Sequence, residues 1–505
     1  MFLTIDQGTT SSRALLFDEK GQIIDLFQRD FKQIYPEEGW VEHDPFEILS
    51  STILCCETIL NKNKNIEIKS VGITNQRETV LAWDKTTGKP FYNAIVWQDR
   101  RTSKYCSDLK KDGLEKEINK KTGLLLDPYF SSSKISWLLK NISGLRDLAK
   151  NGHVCFGTID SWLIWNLTKG DTFATDFTNA SRTSLFNIET LRWDDDLLNI
   201  FDIPLNSLPE VRNSNDYFGE TKLLSKNLKI TGVIGDQQSS AFGQSCYQAG
   251  DIKSTYGTGC FVLANTGNQI VHSNKRLLTT ISYKINEDIS YALEGSIFMA
   301  GGIVNWLKLN LGILDKASDS SKIASSVKPD SKVVLVPAFS GLGAPHWSAE
   351  ARGSLFGMTQ DTGVNELVHA SLQSVSLQTN DLIGAFQKDF FDNNLNLLAS
   401  LKIDGGMIQN DWFNQNLADI CNYEIQKSFT KESTALGAAM IAGLGVGFYS
   451  GLDDFKGFYS DNDKITPRMD SMVREKIIDN WSKALKLSIE TVSYTHLTLP
   501  TSYAV

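Results

Sequence analysis

Apolar positions fall in two rhythms along the chain, period two near the start of each half and period three to four between. Phe2 to Ile5, Arg13 to Phe17 and Gln22 to Phe27 are short apolar runs, separated by Asp6-Gln7-Gly8-Thr9-Thr10-Ser11-Ser12 and Asp18-Glu19-Lys20-Gly21. That pattern predicts an antiparallel meander. Asp44-Pro45-Phe46-Glu47 has the features of a helix start, with Asp44 as cap, Pro45 in the first turn and Glu47 closing a capping box. Phe46, Leu49, Ile53, Cys56 and Leu60 then mark the helix's apolar stripe, and Ile68 to Thr74 reads as a buried strand.

A second round begins near residue 230. Ile230 to Ile234, Ile252 to Tyr256, Phe261 to Asn265 and Leu401 to Ile403 read as strands. Leu367, Val368, Leu372, Val375, Leu382, Ile383 and Phe386 mark a long helix, and Ala435 to Gly445 a small-residue helix suited to close packing. Each half thus opens on a strand, a polar turn and a strand. A division near residue 245 gives an N-terminal domain over 1–245 and a C-terminal domain over 246–490, with a ligand cleft between two sheets. Val473 to Ile489 is a last helix; the uncharged tail from Ser493 to Val505 breaks from it and reads as a non-native scar or a disordered terminus.

Composition narrows the classes. The 505 residues are 41% hydrophobic and 22% charged, which is globular. A net charge of −9 and the lack of a basic block argue against nucleic acid as partner. No apolar run is long enough to span a bilayer, and Met1 to Asp6 carries no signal-peptide pattern, so no membrane insertion is expected. Seven scattered cysteines suit a reducing cytoplasm.

The Walker and dinucleotide motifs are absent: Gly88-Lys89 is followed by Pro90, and no G-x-G-x-x-G follows a strand. Three other turns carry the candidate chemistry. In Asp6 to Arg13, Gly8 permits a tight turn whose amides, with the hydroxyls of Thr9, Thr10 and Ser11, can face phosphate oxygens. Asp6 can hold a hydrated Mg²⁺, and Arg13 can reach a transferring phosphoryl group. Tyr256-Gly257-Thr258-Gly259 and Asp404-Gly405-Gly406 are the other two. On spacing alone the first turn is open between a phosphate cradle and a plain polar hairpin. The three together, in this order, favour the cradle.

D-x-G-T-T-x-x-R, then Y-G-T-G, then D-G-G resembles the actin, Hsp70 and hexokinase superfamily. More narrowly, Tyr129 to Asn141 and Gly353 to Met358, continuing through Glu366-Leu367 to Gln373, resemble the two signatures of the FGGY family of carbohydrate kinases. The likeness runs from about residue 2 to about 490. It implies an α/β fold of two actin-like (ribonuclease H-like) ATPase domains, each a mixed five-stranded sheet flanked by helices. Asn75-Gln76-Arg77-Glu78, Ile95 to Thr102, Asp127 to Phe130 and Gly235 to Gln238 are most similar to the branch that phosphorylates glycerol with ATP. A kinase for another polyol or ketose is the alternative within the family. A non-metabolic actin-like ATPase is the alternative outside it.

The resemblance also implies site roles. Arg77 and Glu78 grip the hydroxyls that are not phosphorylated, and Trp97, Tyr129 and Phe261 form apolar walls. Asp236 is the general base, with Gln237 orienting the acceptor. Thr9, Thr10, Ser11, Arg13 and Thr258 take the phosphates; Gly301, Asn305, Gly406 and Asn410 lie on the nucleotide; Glu294-Gly295 line the cleft near it. Mg²⁺ is held mostly through water near Asp6 and Asp236. Read on the residues alone, Arg77-Glu78 favours a surface ion pair, because neighbours on a strand point to opposite faces, and Trp97 and Tyr129 favour core packing. Asn305 stands where many members have Gln, and Asn227 where members inhibited by a sugar bisphosphate have Arg. Relatives form dimers and tetramers, so a homo-oligomer is expected.

Overall fold

The computed structural model describes residues 1–456, 458 and 464–494; most of the tail beginning at Ser493 lies outside the described residues. The opening meander forms as expected. β1 (Phe2–Gln7), β2 (Ser11–Phe17) and β3 (Ile23–Asp30) are antiparallel neighbours. β4 (Ser70–Asn75) pairs parallel with β1, and past β5 (Gly219–Glu220) β6 (Lys229–Gly235) pairs parallel with β4. The sheet order is β5-β6-β4-β1-β2-β3. β1 and β4 are buried along their whole length, as strands covered on both faces must be.

The second sheet repeats the scheme with β7 (Ile252–Tyr256), β8 (Cys260–Gly267), β9 (Leu278–Ile285), β10 (Asp288–Ile297), β11 (Ser400–Asp404), β12 (Glu424–Lys427) and β13 (Lys464–Ile465), in the order β9-β10-β8-β7-β11-β12-β13. β7 is antiparallel to β8 and parallel to β11, as β1 is to β2 and β4. The five strands β3-β2-β1-β4-β6 therefore match β10-β8-β7-β11-β12. The first set is widened by β5, the second by β9 and β13.

Two helices show where local pattern was and was not enough. α1 (Pro45–Lys62) starts where expected, with Asp44 accepting from the Phe46 N–H at 2.8 Å. Glu47 does not close a capping box: it accepts from the Lys32 N–H at 3.1 Å, tying the helix to the chain after β3. The buried face is also rotated from the apolar stripe. Ile48, Ser51, Thr52, Cys55 and Ile59 are buried while Phe46 is 54% exposed, because Ser51 bonds Ser12 of β2 at 2.9 Å and the sheet takes the small polar side.

α2 (Ser131–Asn141) packs beside a small four-stranded sheet built from Glu42–His43, Val80–Asp84, Ala94–Ile95 and Val154–Thr158. α3 (Asp236–Gly243) follows β6, and α4 (Val364–Asp392) is the long helix expected from its periodicity. α5 (Ser433–Gly445) comes from the C-terminal half yet lies on β1, β4 and β6 of the first sheet and crosses α3. The crossing is backbone on backbone. A Cβ at Gly437 would overlap the Ser239 carbonyl oxygen, and one at Gly243 the Ser433 carbonyl oxygen. The small-residue run therefore serves close packing against the other half.

Candidate active site

Parallel strands end on one edge of their sheet, and in such sheets that edge holds the ligand. Here β1 ends beside β4 with Gln7 opposite Asn75, and β4 ends beside β6 with Asn75 opposite Gly235. The Gly8 turn, the Gln76-Arg77-Glu78 turn and Asp236 thus stand in a row about one strand spacing (~4.8 Å) apart. The Gly257 and Gly405 turns follow β7 and β11 in the facing lobe.

The Gly8 turn is closed by the Gly8 N–H donating to the Ser11 carbonyl at 2.9 Å, with Thr10 exposed and Ser11 entering β2. Thr9 accepts from the Trp97 indole N–H at 3.0 Å. Arg13 is held by Asp6 and by Glu432, the latter at 2.5 Å, so its guanidinium ties the two halves together beside the turn. In the facing lobe the Gly301 N–H donates to the Gly257 carbonyl at 2.9 Å, and a Cβ at Gly301 would crowd that oxygen. Thr258 and Asn305 are exposed. Gly405 has φ +94° and lies against the Tyr256 backbone, where a Cβ would overlap, while Gly406 faces open space. Asn410 caps the helix Asp411–Cys421 through the Phe413 N–H at 2.9 Å and donates to Ser320 at 3.1 Å.

The objection to Arg77 and Glu78 sharing one ligand is removed by the backbone. β4 ends at Asn75, and Glu78 has φ +59°, a left-handed conformation that turns the chain between the strands. Both side chains are buried. Arg77 Nε lies 3.1 Å from Asp236 Oδ1, and its Nη1 donates to Glu294 at 2.6 Å and to Gln238 at 3.1 Å. The Tyr129 hydroxyl is 3.5 Å from Nη2. Trp97 makes edge contacts with Tyr129 at 5.7 Å and Phe261 at 6.0 Å between ring centroids. Phe261 comes from the second lobe, so the three aromatic rings meet across the two halves.

Asp236 is the first residue of α3, and its side chain is 30% exposed. Burial pushes its pKa up to about 6; Arg77 works against that rise and the charge of Glu78 adds to it. Burial also opposes the Arg77 charge, and Glu294, Glu78 and Asp236 outweigh it. A carboxylate with a pKa near neutrality, facing a polar cleft, fits a general base.

Several site residues carry no local signature. Arg182 is fully buried; its Nε donates to Glu78 at 2.6 Å and its Nη2 to Glu294 at 2.7 Å. Lys253 is buried and donates to Gln237 Oε1 at 2.7 Å and to Thr255 at 2.8 Å. Since an ammonium only donates, it fixes the Gln237 carbonyl inward and leaves the amide NH₂ as the donor. Lys134, whose pKa burial lowers to about 8, donates to the carbonyl of Tyr129 at 2.5 Å. Two expectations change place. Glu294 pairs with Arg77 and Arg182, and Gly295 packs against Leu382 in the core instead of lining the cleft.

Two α/β lobes with matching sheets, facing glycine turns and a recessed acid–base cluster define a kinase of the actin-like ATPase fold. The chain belongs to the FGGY family of carbohydrate kinases: residues 1–243 match the family's N-terminal domain and residues 252–446 its C-terminal domain. It is 48% identical over 492 residues to a glycerol kinase of Coxiella burnetii (strain Dugway 5J108-111), covering 96% of this chain and 97% of that protein. A glycerol kinase of Sinorhizobium fredii is also 48% identical, over 491 residues, covering 96% and 98%. The crystal structure of Plasmodium falciparum glycerol kinase with ADP matches with a TM-score of 0.90 at 40% identity, over 97% of this chain and 98% of that one. A ligand-bound xylulose kinase from Lactobacillus acidophilus, at 21% identity and a TM-score of 0.86 over 99% of both chains, shares the fold.

Proposed function

We propose that this protein transfers the γ-phosphoryl group of ATP to glycerol, releasing ADP and sn-glycerol 3-phosphate. The observation that carries the reading is the acceptor pocket: Arg77, Glu78 and Asp236 supply polar contacts, while Trp97, Tyr129 and Phe261 cover apolar carbon. Glycerol is that mixture, three hydroxyls on three carbons. A pocket of buried polar groups rejects analogues lacking a hydroxyl, because its own groups are then left unpaired.

In this reading Asp236 takes the proton of the attacking hydroxyl as the bond to phosphorus forms. Gln237, held by Lys253, presents its amide N–H groups to the acceptor. Thr9, Thr10, Ser11 and Thr258 receive phosphate oxygens, with Arg13 beside them, and Gly301, Asn305, Gly406 and Asn410 flank the nucleoside. The open space at Gly406, which a Cβ would fill, fits a nucleotide lying against the turn. Asp6 and Asp236 are hard oxygen donors of the kind Mg²⁺ accepts, and the ion neutralises phosphate charge when bound. The lobes over 1–245 and 246–490, a cytoplasmic location and a dimeric or tetrameric assembly belong to the same reading.

The test is ADP release with Mg·ATP and glycerol, dihydroxyacetone, D-xylulose, L-ribulose, gluconate or no acceptor. Strong turnover with glycerol and little without acceptor is expected. Turnover with a ketose but not glycerol overturns the acceptor assignment and keeps the kinase.

A further inference from the structure

Four buried side chains form a closed ring of alternating charge. Arg77 Nη1 donates to Glu294 Oε2 at 2.6 Å, Arg182 Nη2 to Glu294 Oε1 at 2.7 Å, and Arg182 Nε to Glu78 Oε1 at 2.6 Å. Glu78 Oε1 returns to Arg77 Nε at 3.9 Å. All four are at most 2% exposed. Arg77, Glu78 and Arg182 belong to the first lobe; Glu294 arrives from β10 of the second. The Arg182 guanidinium also lies 5.6 Å from the Tyr129 ring centroid and 5.4 Å from that of Phe130.

Arg77 is contested. Asp236 is 3.1 Å from its Nε, while Glu294 holds its Nη1. An Arg left to one carboxylate closes a bidentate fork on it. Glu294 prevents that collapse by pulling the other end of the guanidinium, and Arg182 in turn fixes Glu294 by its second oxygen. A fully buried carboxylate would ordinarily be forced toward neutrality; here Arg182 and Arg77 overcome the burial and hold Glu294 below the usual carboxylate range.

We propose that Glu294 and Arg182 are positioning residues for the acceptor site, holding Arg77 open to the acceptor hydroxyls and away from closure on Asp236. The acceptor end is then complete only when the second lobe delivers Glu294, so lobe approach and assembly of the pocket are one event. The inference rests on the acceptor-site reading. It is tested with whichever acceptor the unmodified protein turns over, so failure of the glycerol assignment and failure of the ring are separate results.

The experiment compares Glu294→Gln, Arg182→Met and the double variant by steady-state kinetics, with ADP affinity and thermal melting as folding controls. Each single variant is expected to raise the acceptor KM about 10–100-fold, the worth of one charge-assisted hydrogen bond, with ADP affinity nearly unchanged. The double variant is expected to be no worse than the poorer single one, because the ring acts as a unit. The loss is expected in the acceptor KM with kcat within about tenfold of the parent, a split that a merely structural role would not give. Should Glu294→Gln not fold, Arg182→Lys, which keeps the charge but loses the fork, carries the same test. Additive KM effects, an unchanged acceptor KM, or a loss confined to kcat overturn the proposal.

Discussion

Asp236→Asn isolates the proton-transfer step from the pocket that surrounds it. The substitution is nearly isosteric and removes a base whose pKa sits at about 6 instead of the ordinary 3.8. A shift of about two units makes it roughly a hundredfold stronger as a base than an exposed Asp while leaving it ionised at neutral pH. A positioned general base contributes ~10²–10⁴ in rate, or ~3–5 kcal/mol of the barrier. The fall is expected in kcat. Arg77 stays tied to Glu294 at 2.6 Å and Gln238 at 3.1 Å, so the acceptor KM should move less than about tenfold. This carboxylate contacts Arg77 and the Gln237 N–H, so ADP affinity should change little.

Two pH signatures accompany the rate. In the unmodified protein kcat/KM should rise through about pH 6 and level off above it, and the Asn variant should lack that limb. Stability moves the other way. The folded pKa lies above the unfolded one, so the penalty on the charged form is absent below about pH 4 and fully present above about pH 6. It amounts to ~3 kcal/mol by the shift alone, and less for a carboxylate that water partly reaches. The Asn variant at pH 7.5 should therefore melt at or above the parent's temperature. Stopped assays of ADP release over pH 5 to 9, with melting curves alongside, read all of this. A kcat within about tenfold of the parent, or an acid limb that survives in the variant, refutes the assignment of Asp236.

Trp97→Phe keeps an aromatic wall but removes the 3.0 Å bond to Thr9, which joins the acceptor wall to the phosphate turn; a ~5–10-fold loss in kcat/KM is expected, and none would show that the bond does no work. Gly437→Ala should destabilise by ~1–3 kcal/mol in urea or thermal unfolding although Ala favours helix, because the Cβ meets the Ser239 carbonyl at the α3–α5 crossing. Gly384→Ala in α4 meets nothing within 4 Å and should stabilise by ~0.5–1 kcal/mol; the same sign for both glycines would refute the packing account.

The elements that local pattern sets were legible in the sequence. Ile252–Tyr256 is a strand to the residue, the opening meander pairs as the alternation indicates, and Asp44 caps α1. The three glycine turns were legible too, since a short polar turn after an apolar run is written in adjacent positions. Pattern alone placed the face of α1 only in part: Cys56 and Leu60 of the stripe are buried, Phe46 is exposed, and the buried face is rotated toward Ser51 and Cys55. A stripe ranks residues by their own hydrophobicity, while Ser51 and Cys55 are buried by what β2 presents to them.

The tertiary structure decided the charge arithmetic of the site. Arg77 meets Glu294 across 217 positions of sequence, and Arg182 meets Glu78 across 104, so no spacing announces either pair. Arg182 sits among small polar residues in a turn, and Lys253 inside a strand pattern that gives no hint of its partner in Gln237. The sequence set out which turns exist and which chemical groups the chain carries, because backbone conformation is chosen over a few residues. Which carboxylate keeps its charge, which arginine is shared, and that α5 lies on the sheet of the other half follow from burial and long-range contact. Those quantities exist only once the chain has closed on itself.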